Sequence, residues 1–395
     1  MLVMDKKLKE LAKNFREKTI ENRRHLHRHP ELSLHEKNTA DFVMKNLDEL
    51  RINYKSNVGG YGVVGLIEGA HKGPTIMIRA DMDALPVNEI TGLEFSSEVE
   101  NVMHACGHDI HTSNLIAVAS ILNKYRDEMH GSVKLCFQPA EEGSGGALAM
   151  INDGVLENPK VDYAIGMHIE PSLKIGTASI EVGPITSYPR FFSIKLTGNG
   201  GHGSVPYKSI DPIVAGVRLY EALNSISKEI SPLNPNVLQV CAFNAGEAAA
   251  IIPDVCEIMG TIRTHYVEDK ELFKKRLYEM TKSIAELFNV EYEIKYWGIS
   301  EPVINEEKHT LLAAEWVEDI FEKGLVQSES FKLAGEDFSR YSVLVPSTFL
   351  VVGCSNEDPK TQYGLHNAKF NPDENVLDYG VLALSTIALK YLKAI

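Results

Sequence analysis

Three imidazoles, a thiol and a carboxylate fall within eight positions in His104-Ala-Cys-Gly-His-Asp-Ile-His111, and the glycine between Cys106 and His108 lets the backbone turn both side chains toward one point. Thiolate and neutral imidazole are good ligands for zinc and its neighbours, but a Cys-x-His pair cannot complete a coordination sphere alone. Further donors must come from elsewhere in the chain.

Four segments supply them. Gln138-Pro-Ala-Glu-Glu-Gly143 offers adjacent carboxylates, Gly166-Met-His168 and Leu365-His-Asn367 each offer an imidazole, and Arg79-Ala-Asp-Met-Asp83 offers two more carboxylates. Cys106, His108, Glu142, His168 and His366 make five donors. That is more than one tetrahedral ion with an open position uses, so two divalent ions sharing a bridging ligand and a water fit better. Neighbouring side chains leave the backbone in different directions; Glu142 is therefore assigned to metal, and Glu141 to general base and then general acid toward a leaving nitrogen. Asp81 suits a carboxylate that orients a ligand imidazole, although a turn or cap role would look the same. His104 and His111 are left out of the ligand set, and His25, His27 and His29 are read as structural. Gly198-Asn-Gly-Gly-His-Gly-Ser204 presents His202 on a flexible loop, where an imidazole can stabilise an oxyanion or be incidental. Arg263 can grip a substrate carboxylate or serve a surface ion pair.

These residues need elements to hold them. Met4 to His27 has helical spacing and ends before Pro30, and a second helix is expected after Ser33, with Glu36 as a capping-box partner. Strands are expected at Val63–Ile67, Thr75–Ala80, Val133–Phe137, Val161–Ile165 and Ser347–Val352, and a helix at Thr112–Tyr125. This alternation predicts an α/β fold: a largely parallel sheet covered by helices, whose sites lie beyond the carboxyl ends of the strands. Between about Gly183 and Ile299 the order becomes strand-helix-strand-strand-helix-strand, an inserted smaller α+β ferredoxin-like domain. The expected division is 1–183 with 299–395 as a discontinuous catalytic metal-binding domain, and 184–298 as the insert.

The 395 residues carry a formal charge of −14, which argues against nucleic acid and anionic lipid as partners. Charges interrupt the start of the chain and no long apolar run follows, so a cytoplasmic protein with no membrane partner is expected. The five cysteines are odd in number and scattered, which is no disulfide framework; all but Cys106 are expected to be buried apolar residues.

The set resembles the dinuclear metal amidohydrolases, a family of aminoacylases, hippurate hydrolase, indoleacetyl-amino acid hydrolases and related carboxypeptidases. His27-Arg-His-Pro-Glu-Leu32, Arg79-Ala-Asp-Met-Asp-Ala-Leu-Pro86, the 104–111 and 138–143 segments, Gly166-Met-His168, Gly201-His-Gly-Ser204, Ile252-Pro-Asp254, Gly260-Thr-Ile-Arg263, Glu336-Asp-Phe338 and Leu365-His-Asn367 carry the resemblance, in family order over nearly the whole chain. It implies metal ligation by Cys106, His108, Glu142, His168 and His366, catalysis by Glu141, and a homodimer built through the insert, with His202 reaching the partner subunit's site. Two positions depart from the wider family. Arg79 stands where many relatives carry a histidine ligand, and Ala250 where an asparagine often contacts substrate.

The expected activity is metal-dependent hydrolysis of the amide bond of an N-acyl amino acid (N-acetyl, benzoyl or similar), by metal-bound hydroxide with Glu141 as base and Arg263 holding the carboxylate. The ions can be zinc, manganese, cobalt or nickel. A dipeptidase or carboxypeptidase using the same site is the nearest alternative, and a non-catalytic binding protein on this fold is the alternative of another class.

Overall fold

The computed structural model describes residues 6–143, 145–298, 300–328 and 331–395. Met4, where the sequence reading starts the first helix, and Ile299, where it resumes the catalytic domain, lie outside the described residues. The chain divides into two compact units: the described residues of Met1–Gly183, Val303–Phe331 and Glu336–Ile395 form one, and those of Pro184–Pro302 with Lys332–Gly335 form the other.

In the first unit a seven-stranded sheet runs in the order Asn53–Val58, Gly62–Glu68, His130–Gln138, His71–Asp81, Tyr163–Lys174, Ser347–Ser355 and Ala178–Ser179. The four strands from His130–Gln138 to Ser347–Ser355 are parallel and the remainder antiparallel, giving a mainly parallel sheet with antiparallel edges. Every residue of Ser347–Ser355 is buried, as is the stretch Tyr163–Pro171, which only a sheet covered on both faces permits. The helices Lys6–Arg28, His108–Asn123 and Val376–Tyr391 pack on one another and contribute Leu8, Leu115, Val118, Leu384 and Ile387 to the core. No helix among the described residues is long and apolar enough to cross a membrane.

Three boundaries differ from the sequence reading in ways that matter for chemistry. The helix expected from Thr112 starts at His108, so His108 occupies its first turn. The strand expected to end at Ile165 continues to Lys174, and His168 therefore projects from a rigid strand and not from a loop. Ser33 and Glu36 do not form a capping box: the helix Lys37–Glu49 has no side-chain cap, the Ser33 hydroxyl donates to Asp83 at 2.6 Å, and buried Glu36 accepts from the backbone N–H groups of Leu34 (3.0 Å) and Ala140 (2.8 Å). Both side chains support the loop that carries Glu141 and Glu142.

The second unit is a four-stranded antiparallel sheet in the order Asn236–Ala245, Val255–Thr264, Tyr188–Thr197 and Glu291–Gly298. The helices Pro212–Leu223 and Val267–Phe288 pack on it around Phe192, Ile194, Ile258, Leu219, Phe273 and Leu277. Val255–Thr264 alternates between buried and more exposed residues along its length, the pattern of a sheet with one covered face. Asp211 caps the first of these helices by accepting from Ile213 N–H at 2.8 Å, with Pro212 in its first turn.

Candidate metal centre

The expected donors of the first unit lie close together in space. Gly107 has φ +86°, and an added Cβ would lie 2.5 Å from Ile169 Cδ1, so only glycine lets the chain turn between Cys106 and the helix that begins at His108. Ala140 (φ +55°) and His366 (φ +63°) hold left-handed backbone that disfavours side-chain-bearing residues, a strain that concentrates at functional sites. The His366 loop is tied back to the first ligand segment by its backbone N–H, which donates to Ala105 O at 2.8 Å.

The ligand atoms of Cys106, His108 and His168 lie within 4.8 Å of one another, as do those of Cys106, Glu142 and His366, and those of His108, Glu141 and Glu142. Cys106 belongs to two of these groups. Its Sγ is 3.4 Å from His168 Nε2, and His366 Nε2 is 3.4 Å from Glu142 Oε1. The structure thus brings all five expected donors and Glu141 to one place.

The imidazoles are oriented from behind. His108 Nδ1 donates to the carbonyl of Asp83 at 2.8 Å and lies 3.3 Å from Asp83 Oδ1, which leaves Nε2 buried with no hydrogen-bond partner. His168 Nδ1 donates to Ile169 O at 2.6 Å, turning Nε2 inward. Asp83 also accepts from the backbone N–H groups of Glu141 (3.1 Å) and Glu142 (3.0 Å), joining both carboxylate-bearing residues to the same support. Asp81, expected to orient a ligand imidazole, accepts from His111 Nδ1 at 2.6 Å and stands 3.7 Å from His108 Nε2. The His111 Nε2 atom accepts from Ile169 N–H at 3.1 Å, so both of its nitrogens are engaged, and the ligand atoms of Asp81, His108 and His111 also lie within 4.8 Å of one another. His104 is buried and joins none of the ligand groups; burial pushes its pKa down to about 4.

Electrostatics favour a cation here. Burial works against a charged His108, yet Asp81, Asp83 and Glu142 lift its pKa to about 10. Burial, followed by Glu142, Glu141 and Asp81, pushes the Cys106 thiol up, and burial with His111 holds His168 well below its usual range, in the neutral form that ligates. Burial and the carboxylates of Glu336, Asp337 and Glu142 push Glu141 well above the usual carboxylate range. Soft and borderline donors around His108 Nε2 and Glu142 Oε1, buried atoms with no hydrogen-bond partner, fit divalent transition metals.

Several residues of the site were not assigned a role from sequence. Arg79 is fully buried behind Glu141 among Asp81, Gln138, Glu336 and Asp337. Asp109, next to His108, accepts from His27 Nδ1 (2.8 Å) and pairs with Arg23 Nε (2.9 Å), while Glu89 meets His27 Nε2 at 3.3 Å. A charge inside an apolar run was the available signal for Arg79; for Arg23 and His27 the helical pattern concealed it. Breaking the buried Arg23–Asp109 pair by Asp109→Ala is expected to destabilise the protein by about 3 kcal/mol, because it removes a buried carboxylate that pairs with both Arg23 and His27 and leaves Arg23 only its longer contact to Glu374 at 3.3 Å. Urea unfolding measures this.

In the second unit, His202 is exposed on the short strand Gly201–His202, paired with Ile251–Ile252, and its Nδ1 is 2.8 Å from Ser204 Oγ. The Arg263 guanidinium lies 5.4 Å over the Phe191 ring; it makes no ion pair among the described residues, and burial lowers its pKa. Cys241 is exposed, against the expectation of a buried apolar residue, because it sits on the open face of an edge strand; Cys136, Cys256 and Cys354 are buried.

Residues 77–390 match the family model described as Peptidase family M20/M25/M40. The chain is 37% identical over 395 residues to thermostable carboxypeptidase 1 of Saccharolobus solfataricus, covering 98% of each chain. It is 35% identical over 373 residues to hippurate hydrolase of Campylobacter jejuni, covering 94% of this chain and 96% of that one. Among solved structures it is similar to the YXEP protein of Bacillus subtilis, described as a dinuclear metal binding peptidase from the M20 family, with a TM-score of 0.84, 32% identity, and coverage of 97% and 100%.

Proposed function

Because this chain belongs to the Peptidase family M20/M25/M40, we propose that it uses its buried donor cluster to hydrolyse the amide bond of N-acyl amino acids, releasing a carboxylic acid and a free amino acid. The observation that carries this reading is the convergence of Cys106, His108, Glu142, His168 and His366 beside Glu141. Those five residues would hold two divalent ions, drawn from zinc, manganese, cobalt or nickel. When bound, the ions polarise the amide carbonyl and acidify water.

The chain's own groups do the rest. Glu141 takes a proton from the attacking water as it adds to the carbonyl carbon, then delivers it to the nitrogen as the C–N bond breaks. Asp83 fixes His108 and the Glu141-Glu142 backbone, and Asp81 anchors His111 and Arg79 behind the pocket. Arg263 holds the substrate carboxylate, and His202 stabilises the oxyanion.

The insert is proposed to serve as lid and dimerisation domain, placing His202 in the site of a second copy. Exposed Val214, Val217 and Tyr220 on one helix, and the edge strand Asn236–Ala245, are surfaces that a homodimer would cover. Free cysteines throughout suit a reducing cytoplasm.

The carboxypeptidase name of a 37% identical relative favours peptides as the second reading. Turnover of N-acetyl and N-benzoyl amino acids, compared with dipeptides bearing a free amino group, tests the choice. The proposal expects the acylated substrates to have the higher kcat/KM by at least about tenfold; a preference for free dipeptides would transfer the site to the peptidase reading.

A further inference from the structure

Arg79 is a guanidinium with no solvent exposure at the end of a buried strand, and it is surrounded by acid. Its Nη1 donates to Asp81 Oδ2 at 2.7 Å and Nε to Gln138 Oε1 at 2.9 Å. Its Nη2 lies 3.0 Å from Asp337 Oδ1 and 3.1 Å from Glu336 Oε1. Asp337 Oδ1 also accepts from Gln138 Nε2 at 2.8 Å, its Oδ2 accepts from Ala147 N–H at 2.9 Å, and its backbone N–H donates to Glu141 Oε1 at 3.3 Å.

The carboxylate oxygens of Glu141, Glu336 and Asp337 lie within 4.8 Å of one another. Like charges at that spacing in a buried pocket repel strongly unless a cation stands among them. The described residues provide one such cation in contact with both Glu336 and Asp337, and it is Arg79. Burial works against its charge, but Glu336, Asp81 and Asp337 more than offset that and raise its pKa well above the usual range. The planar fork reaches four partners at once, which a lysine ammonium has no geometry to do.

We propose that Arg79 is a positioning residue for Glu141: its guanidinium holds the Glu336-Asp337 turn against the end of the 71–81 strand, so that the Asp337 N–H fixes one oxygen of the Glu141 carboxylate. This deepens the hydrolase reading and rests on it.

Arg79→Lys keeps a charge and loses the fork; Arg79→Ala loses both. In Arg79→Lys, kcat is expected to fall about tenfold with KM within about threefold of the unaltered protein and metal content unchanged. Its crystal structure is expected to show Asp337 N and Glu141 Oε1 more than about 3.5 Å apart. In Arg79→Ala, kcat is expected to fall about a hundredfold, and millimolar guanidinium chloride should restore it at least about tenfold while equal sodium chloride does not. If Arg79→Ala does not fold, Arg79→Lys decides.

A kcat within about twofold of the unaltered protein in Arg79→Lys overturns the proposal, as does a fall in kcat that tracks lost metal. Turnover by the unaltered protein is measured first and tests the hydrolase reading separately. Should it cleave none of the substrates, the Arg79→Lys structure still decides, since a retained Asp337–Glu141 contact would refute the positioning role.

Discussion

Glu141→Gln is expected to lower kcat on N-acyl amino acids by about a thousandfold while metal content and fold stay unchanged. Glutamine has the shape of glutamate and retains an oxygen for the Asp337 N–H, so the contact at 3.3 Å can persist. What it lacks is an atom that takes a proton from water and returns it to the departing nitrogen. Steady-state kinetics on an N-acetyl and N-benzoyl series, with metal analysis of the same samples, measure the effect. KM is expected to stay within about threefold, because the group acts on the transition state and not on the bound substrate. Turnover that survives nearly unchanged would remove Glu141 from the role of base.

The second large effect is expected from chelation. Removing divalent ions should abolish turnover and lower the unfolding midpoint, because the folded protein holds the donor set together and the unfolded chain does not. At free metal about a thousandfold above its Kd, one site contributes roughly 4 kcal/mol to stability. Asp81, Asp83, Glu141 and Glu142 crowd a pocket in which His108 is already driven toward its charged form, so the loss of cations should be felt in stability as well as in rate. Thermal scans before and after chelation, followed by refilling with zinc, manganese, cobalt or nickel, would show this. Unchanged midpoint and turnover after complete removal would contradict a metal-dependent site.

The sequence carries the pattern of the first-unit sheet because its strands are short apolar runs between helices of clear period. Thr75–Ala80 and Ser347–Val352 lie within observed strands, and Asp81 and the Glu141-Glu142 pair lie at or just beyond the carboxyl ends of strands, where a parallel sheet places its sites. Where His168 sits was less legible. Nothing in Gly166-Met-His168 distinguishes a strand that continues from one that stops, since a buried strand tolerates a histidine whose Nδ1 finds a carbonyl. Ser33 and Glu36 match a capping box in spacing, but tertiary contacts to Asp83 and Ala140 claimed both side chains. Arg79 and Asp337 lie far apart in the chain, and only the fold brings them together.

The proposed chemistry requires two divalent ions among Cys106, His108, Glu142, His168 and His366 beside Glu141. A crystal structure of the metal-loaded protein, with anomalous scattering measured on either side of the metal's absorption edge, tests it most directly. Two anomalous peaks are expected within bonding distance of these five side chains, with Cys106 Sγ and both Glu142 and His366 engaged. Peaks elsewhere, or an intact pocket in metal-saturated crystals that shows none, would contradict it.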